Sequence, residues 1–255
     1  MKLSWQSIFV RGVAAVGVLL AAACTYNETL GRNQLLFVSQ GQMAQLAGSA
    51  WTDLKKQEQV STNPKYVNRV KRVAPKIIRA AGGNPAEWEV QVFQSDQLNA
   101  FALPGGKIGF YTGILDLMEN DAQIAAVMGH EVAHVNFNHS GERYSQSSLA
   151  QAGLTAAQVA TGGSQYQNQI LGVLGAGASV GVILPFSRKH ELEADKFGVR
   201  YMHRAGYDAM EAVRFWEKMA AKKSGSPPEI LSTHPEDGTR IEQLKREIAL
   251  IKSGS

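Results

Sequence analysis

Apolar positions along this chain recur at helical spacing over most of its length, with one short interruption of period two. Val67, Val70, Val73, Ile77 and Ile78 predict a helix over residues 64–81, which Gly82-Gly83-Asn84-Pro85 stops. Trp88-Glu89-Val90-Gln91-Val92-Phe93 then alternates, as a strand with one buried face does. Phe101-Ala102-Leu103 and Lys107-Ile108-Gly109-Phe110-Tyr111 read as two further strands around Pro104-Gly105-Gly106. Beyond them the helical period returns. Asn120 and Gln123 form a capping-box pattern for a helix through residues 121–137. Another helix is expected over residues 188–204. Asp208 and Glu211 cap the next, which carries Ala212, Val213, Phe215, Trp216 and Met219. After the loop Ser224–Pro228, a last helix sets Ile241, Leu244, Ile248 and Ile251 on one face. Upstream, residues 25–60 read as a polar-to-amphipathic helical lead-in anchored by Leu35, Leu36, Val38, Met43 and Leu46. The sum is an α+β architecture, mostly helical, with a small sheet of about three strands.

Two stretches depart from this pattern. Residues 145–183 are rich in Ala, Gly, Gln and Ser, which suits either closely packed helices or a segment lying over a site. The first 24 residues have Lys2 and Arg11, then an apolar run from Gly12 to Ala23 that ends at Cys24. That run is short for a membrane-spanning helix and has the length of a signal-peptide core. Leu20-Ala21-Ala22-Ala23-Cys24 resembles a bacterial lipobox, although Ala21 stands where Leu is usual. The expectation is a signal peptide over residues 1–23, the lead-in over 24–60 and one catalytic domain over 61–255. Cys24 is then the first mature residue and carries a lipid anchor, and Thr25 after it, rather than Asp, points to the outer membrane.

Composition narrows the classes of function. The net charge is +4, and removing a leader that carries Lys2 and Arg11 halves it. No basic run is interleaved with aromatics, so no nucleic-acid partner is expected. Cys24 is the only cysteine, so stability rests on the core or on a metal rather than on an intramolecular disulfide.

The chemistry is concentrated in His130-Glu131-Val132-Ala133-His134. Positions i and i+4 of a helix lie on one face, so both imidazoles can take corners of a tetrahedral zinc site. Glu131, about 100° around the helix, can reach a water in that site as general base. A third ligand must come from elsewhere. A histidine six positions past His134 would require His at 140, where Ser140 stands, with Gly at 137, where Phe137 stands. His139 falls past the expected helix end and reads as a surface residue. In Ser187–Asp195, Glu191 and Asp195 share a helical face, so Glu191 can complete the set while Asp195 orients an imidazole from behind. Glu193 points elsewhere, and its loss is expected to matter little.

Four segments together resemble metallopeptidase family forty-eight, the HtpX and CAAX-prenyl-endopeptidase group, over roughly residues 60–250. They are Asn99–Gly106, the His130 motif, Glu191–Asp195, and His234-Pro235 with Arg240. Within that family the chain is most similar to BepA-like and LoiP-like bacterial envelope lipoproteins. The resemblance implies a zincin-like (gluzincin) fold and one Zn2+ held by His130, His134 and Glu191. It implies Glu131 as base, with Asp195 and Arg240 supporting the site. It also implies Asn99, Ala100, Phe101 and Ala102 as the strand that borders the substrate cleft. His234 is expected at the site, either stabilising the oxyanion or filling the fourth zinc position. The function so implied is an envelope endopeptidase acting on unfolded or misassembled envelope proteins. The alternatives are a chaperone-like assembly factor that rarely cleaves and a lipoprotein with a purely structural zinc.

Overall fold

The computed structural model describes residues 24–161, 186–222, 228–234 and 238–254. The expected leader over 1–23 lies outside them, as do residues 162–183 of the small-residue stretch, most of the Ser224–Pro228 loop, and Pro235.

The chain opens with two short strands, β1 (Cys24–Asn27) and β2 (Arg32–Leu35), paired as an antiparallel hairpin. This corrects the helical lead-in: only its second half is a helix, α1 (Gln40–Gln57). The hairpin turns at Gly31, whose φ of 65° lies in the left-handed region that glycine adopts without steric cost. Ser39 and Gln42 cap α1 reciprocally. Helix α2 (Pro64–Ala80) starts with Asn63 accepting from the Lys65 N–H and Pro64 at the first helical position.

A three-stranded sheet follows, made of β3 (Glu89–Phe93), β4 (Ala100–Leu103) and β5 (Lys107–Tyr111). Its order is β3-β5-β4, with β3 parallel and β4 antiparallel to β5. The Gly-rich turn expected between β4 and β5 is present, and both Gly105 and Gly106 have positive φ. Period two sorts the side chains onto two faces. Ala100, Ala102, Ile108 and Phe110 join the main helical core. Phe93, Phe101, Leu103 and Tyr111 meet Trp51 of α1 in an aromatic cluster on the other side. The sheet is therefore covered on both faces, and β4 is its edge on the side of the helix described next.

That helix is α4 (Asp121–Asn136), which follows the short α3 (Thr112–Leu117). Every residue of α4 from Gln123 to His134 is buried. Asn120 caps it by accepting from the Gln123 N–H, but Gln123 returns its side chain to the Glu119 N–H rather than to Asn120. Past Phe137 the chain passes through Asn138, a left-handed residue at φ 51°, into α5 (His139–Thr161). Residues 145–161 are thus the continuation of a helix. Helices α6 (Arg188–Arg204), α7 (Met210–Ala221), the single-turn α8 (Glu229–Thr233) and α9 (Gly238–Ser253) complete the domain.

One close approach positions everything that follows. A Cβ on Gly129 of α4 would stand 2.9 Å from the Gly198 carbonyl oxygen of α6, and one on Gly198 would stand 2.9 Å from the His130 nitrogen. The two helices touch backbone to backbone next to His130. Glycine at both positions is what brings the acidic face of α6 to the imidazoles of α4. No helix among the described residues is long and apolar enough to cross a membrane.

Candidate metal centre

His130 and His134 project from one face of α4, as their spacing requires, and both are buried. Glu191 enters from the first turn of α6, where Ser187 caps the helix by accepting from the His190 N–H. His234 enters from the end of α8, which is held by bonds from the Phe186 N–H to the Thr233 carbonyl and from the Ile230 N–H to the Leu98 carbonyl. These four side chains each offer a donor atom, all within 4.8 Å of one another. His130 Nε2 is 3.0 Å from His134 Nε2 and 3.1 Å from His234 Nδ1. Glu191 Oε1 is 3.1 Å from His234 Nδ1 and 3.4 Å from His134 Nε2. Tetrahedral zinc with bonds of about 2.0–2.1 Å sets its ligand atoms roughly 3.4 Å apart, so the donor set has the right chemistry and nearly the right spacing.

Glu131 lies beside this group with its two oxygens in different settings. Oε2 accepts from the Ala102 N–H of β4 at 3.0 Å. Oε1 is buried with no hydrogen-bond partner and sits 3.3 Å from His234 Nε2. A buried carboxylate oxygen left without a hydrogen bond is costly, and a ligand or water in the site relieves that cost. Of the cleft-edge residues expected from sequence, Ala102 thus touches the site through its backbone. Phe101 faces the aromatic cluster on the other side of the sheet.

Behind His130, Asp195 Oδ1 lies 2.9 Å from Nδ1. Arg240 grips Asp195 with Nε at 2.7 Å and Nη2 at 2.8 Å, the bidentate fork suited to a carboxylate. Its Nη1 lies 2.9 Å from Glu191 Oε2, and its guanidinium rests over Trp216, 4.6 Å from the ring centre. The Asp195 and Arg240 expected in support of the site stand against it.

Behind His134 the structure differs from expectation. His139 is fully buried, not on the surface, with Nδ1 3.0 Å from His134 Nδ1 and Nε2 3.1 Å from Glu193 Oε2. Past the end of α4 the chain was expected to run into a surface loop. The turn through Asn138 starts a new helix and returns His139 beneath the old one, and the helix-stopping Asn-His-Ser-Gly stretch was the available signal. Glu193 also accepts from Arg32 on β2.

The electrostatics of the two imidazoles diverge. Burial opposes a charge on His130, but Glu191 and Asp195 outweigh it and raise its pKa to about 9. Burial dominates at His134 and holds its pKa well below the usual value. Burial likewise lowers His139 to about 4 despite Glu193, keeping it neutral near pH 7. Glu191 is held well below the usual carboxylate range: burial would raise it, but His234, Arg240 and His130 outweigh burial.

This arrangement has relatives. Residues 64–248 match the description of peptidase family M48. The mitochondrial metalloendopeptidase OMA1 of Schizosaccharomyces pombe is 31% identical over 248 residues, covering 94% of this chain and 71% of that protein. The OMA1 metalloendopeptidase of Homo sapiens is 29% identical over 86% of this chain and 44% of its own length. The β-barrel assembly-enhancing protease of Escherichia coli K12 is 27% identical over 80% of this chain and 43% of its own length. The chain thus spans most of the first of these and less than half of the other two. The family match takes in both helices that build the site and most of the residues around them: this chain belongs to peptidase family M48, and it is a metalloprotease.

Proposed function

We propose that the chain is a zinc endopeptidase in which His130, His134 and Glu191 hold the ion and Glu131 is the general base. The observation that carries this reading is the buried group of four donor atoms with the unpartnered Glu131 Oε1 beside it. Zinc in such a set supplies Lewis acidity, polarising a carbonyl and bringing the pKa of water down to about 7. Glu131 takes the proton of the attacking water on Oε1 and returns it to the departing amine. The Ala102 N–H fixes which oxygen does this, because it occupies Oε2. An extended peptide lies along β4, bordered by Asn99, Ala100, Phe101 and Ala102, and pairs with the edge by main-chain bonds. His234 Nδ1 lies 3.1 Å from both His130 Nε2 and Glu191 Oε1, so it would hold the fourth position and would have to swing away before substrate enters, since a catalytic zinc needs an open position.

The substrates are unfolded or misassembled envelope proteins, a reading favoured by relatives named as β-barrel assembly-enhancing proteases. Other relatives are named as mitochondrial. The signal-like run ending at Cys24 favours the bacterial envelope for this chain, with a lipid on Cys24 holding it to the outer membrane. Cys24 is exposed at the start of β1.

The test is hydrolysis of an unfolded protein with and without chelator. Glu131→Gln is expected to bind zinc like the wild type while losing about 10²–10⁴-fold in rate. Hydrolysis at the wild-type rate by that variant would remove Glu131 from the mechanism. His234→Ala is expected to raise basal hydrolysis. A fall in rate would instead assign it to the oxyanion.

A further inference from the structure

An imidazole that binds a metal is held by its other ring nitrogen, whose N–H donates to a fixed acceptor and so sets the tautomer and the plane of the ring. His130 meets this requirement directly through Asp195. His134 meets it through a second imidazole, that of His139. Two ring nitrogens 3.0 Å apart share one proton, so one donates and the other accepts. The ends of the chain decide which. A His134 that presents Nε2 to the metal carries its proton on Nδ1. His139 Nδ1 then accepts, and the proton of His139 is on Nε2, aimed at Glu193 Oε2 3.1 Å away. Glu193 needs a counter-charge and has one: Arg32 donates to it from Nε at 2.6 Å and from Nη2 at 2.7 Å. The ring of His139 is kept in plane by His190, stacked on it at 4.5 Å. His190 Nε2 and Gln34 Nε2 in turn meet Glu142, which Arg32 also bridges. From His134 to Arg32, each donor on this path therefore faces an acceptor.

We propose that His139, Glu193 and Arg32 are positioning residues for His134, which makes the N-terminal hairpin a structural part of the metal centre. Arg32 lies on β2, before the stretch 64–248 that matches the family. The hairpin is thus coupled to the centre by four consecutive side chains from Arg32 to His134. The proposal rests on the reading of His134 as a ligand.

The test uses the full chain, zinc competition against a chromogenic chelator, and the visible spectrum of the cobalt-substituted protein, which reports ligand geometry. His139→Phe keeps a ring but removes the acceptor. It is expected to weaken zinc binding about 10–100-fold and to shift the cobalt bands. His139→Asn keeps an acceptor toward His134 and is expected to recover part of that loss. Arg32→Ala is expected to cost a few-fold. Wild-type affinity and an unchanged cobalt spectrum in both His139 variants would overturn the proposal and leave His139 a packing residue. Should His139→Phe fail to fold, His139→Asn and Arg32→Ala decide, and wild-type zinc binding in both overturns it equally. His134→Ala separates the two readings. Undiminished zinc affinity there sinks the ligand assignment itself. Lost affinity there, with none lost in the His139 variants, sinks the positioning role alone.

Discussion

His130 and His134 sit one helical turn apart on α4, yet they are held in unlike ways. Behind His130 the support is one step deep and charged: Asp195, clamped by the buried Arg240. Behind His134 it is two steps deep, passes through a neutral imidazole, and ends on the mostly buried Arg32 of the hairpin. The cause lies in the path of the backbone. His130 adjoins the point where Gly129 and Gly198 bring α4 and α6 into contact, so a short aspartate from α6 reaches it. His134 is met instead by the chain that has just turned back through Asn138, and that chain offers a histidine. The first support comes from α6 and α9, within the family match. The second ties them to a segment outside the family match.

The comparison breaks most decisively at Asp195. Asp195→Ala removes the carboxylate that Arg240 grips with its bidentate fork and leaves His130 without its acceptor. Removing one partner of a buried ion pair costs about 3–5 kcal/mol, so denaturant unfolding of the metal-free protein should show a loss of that order. A loss below about 1 kcal/mol would mean that Glu191 and the His234 carbonyl, which accepts from Arg240 Nη1 at 3.4 Å, alone satisfy Arg240, and that the one-step support is not the stronger of the two.

Gly129→Ala should act on both supports at once. Its Cβ meets a backbone carbonyl rather than a flexible side chain, so the helices must separate. Overpacking of this kind costs about 1–3 kcal/mol, and zinc affinity should fall with it. Thermal melts and chelator competition on the same variant check the coupling. A destabilised protein with wild-type zinc affinity would show that the metal centre does not depend on the α4–α6 contact.

These two predictions concern the part of the molecule that sequence reasoning reads well. His130 and His134 are legible because helical spacing alone sets their common side, with Glu131 about 100° around, and Glu191 with Asp195 for the same reason. Burial of α4 is legible in its apolar residues, and β4–β5 in its Pro-Gly-Gly turn. His234 and Arg240 have no periodicity that joins them to α4, and only resemblance to a family brings them in. His139 and the hairpin are missed for physical reasons. A histidine just past a helix end reads as a surface residue, and the left-handed Asn138 that reverses the chain is a single residue with weak propensity. The hairpin strands Cys-Thr-Tyr-Asn and Arg-Asn-Gln-Leu are mostly polar, so their alternation carries no hydrophobic signal. They hold their place by Arg32 and Gln34 reaching buried carboxylates, and such pairing is invisible until the chain is folded.

The smallest effect is expected from the most conservative change, and it tests the asymmetry directly. Arg240→Lys and Arg32→Lys each keep a positive charge and lose the planar fork, so each isolates the value of bidentate geometry on its own side. Arg240 is only 2% exposed, and its lost bonds to a buried carboxylate are not replaced by water. Hydrogen bonds to charged groups are worth about 1.5–3 kcal/mol, and a loss in that range is expected. The Arg32 side chain is 10% exposed and its carboxylate partners 6% and 14%, so water can re-solvate what lysine fails to bind. Its cost should stay near or below about 1 kcal/mol, as for ion pairs within reach of solvent. Urea unfolding of the two metal-free variants, run side by side, gives both numbers. Equal costs would show that the hairpin side is as tightly held as the helical side. In that case the depth of the support behind His134 would not weaken it.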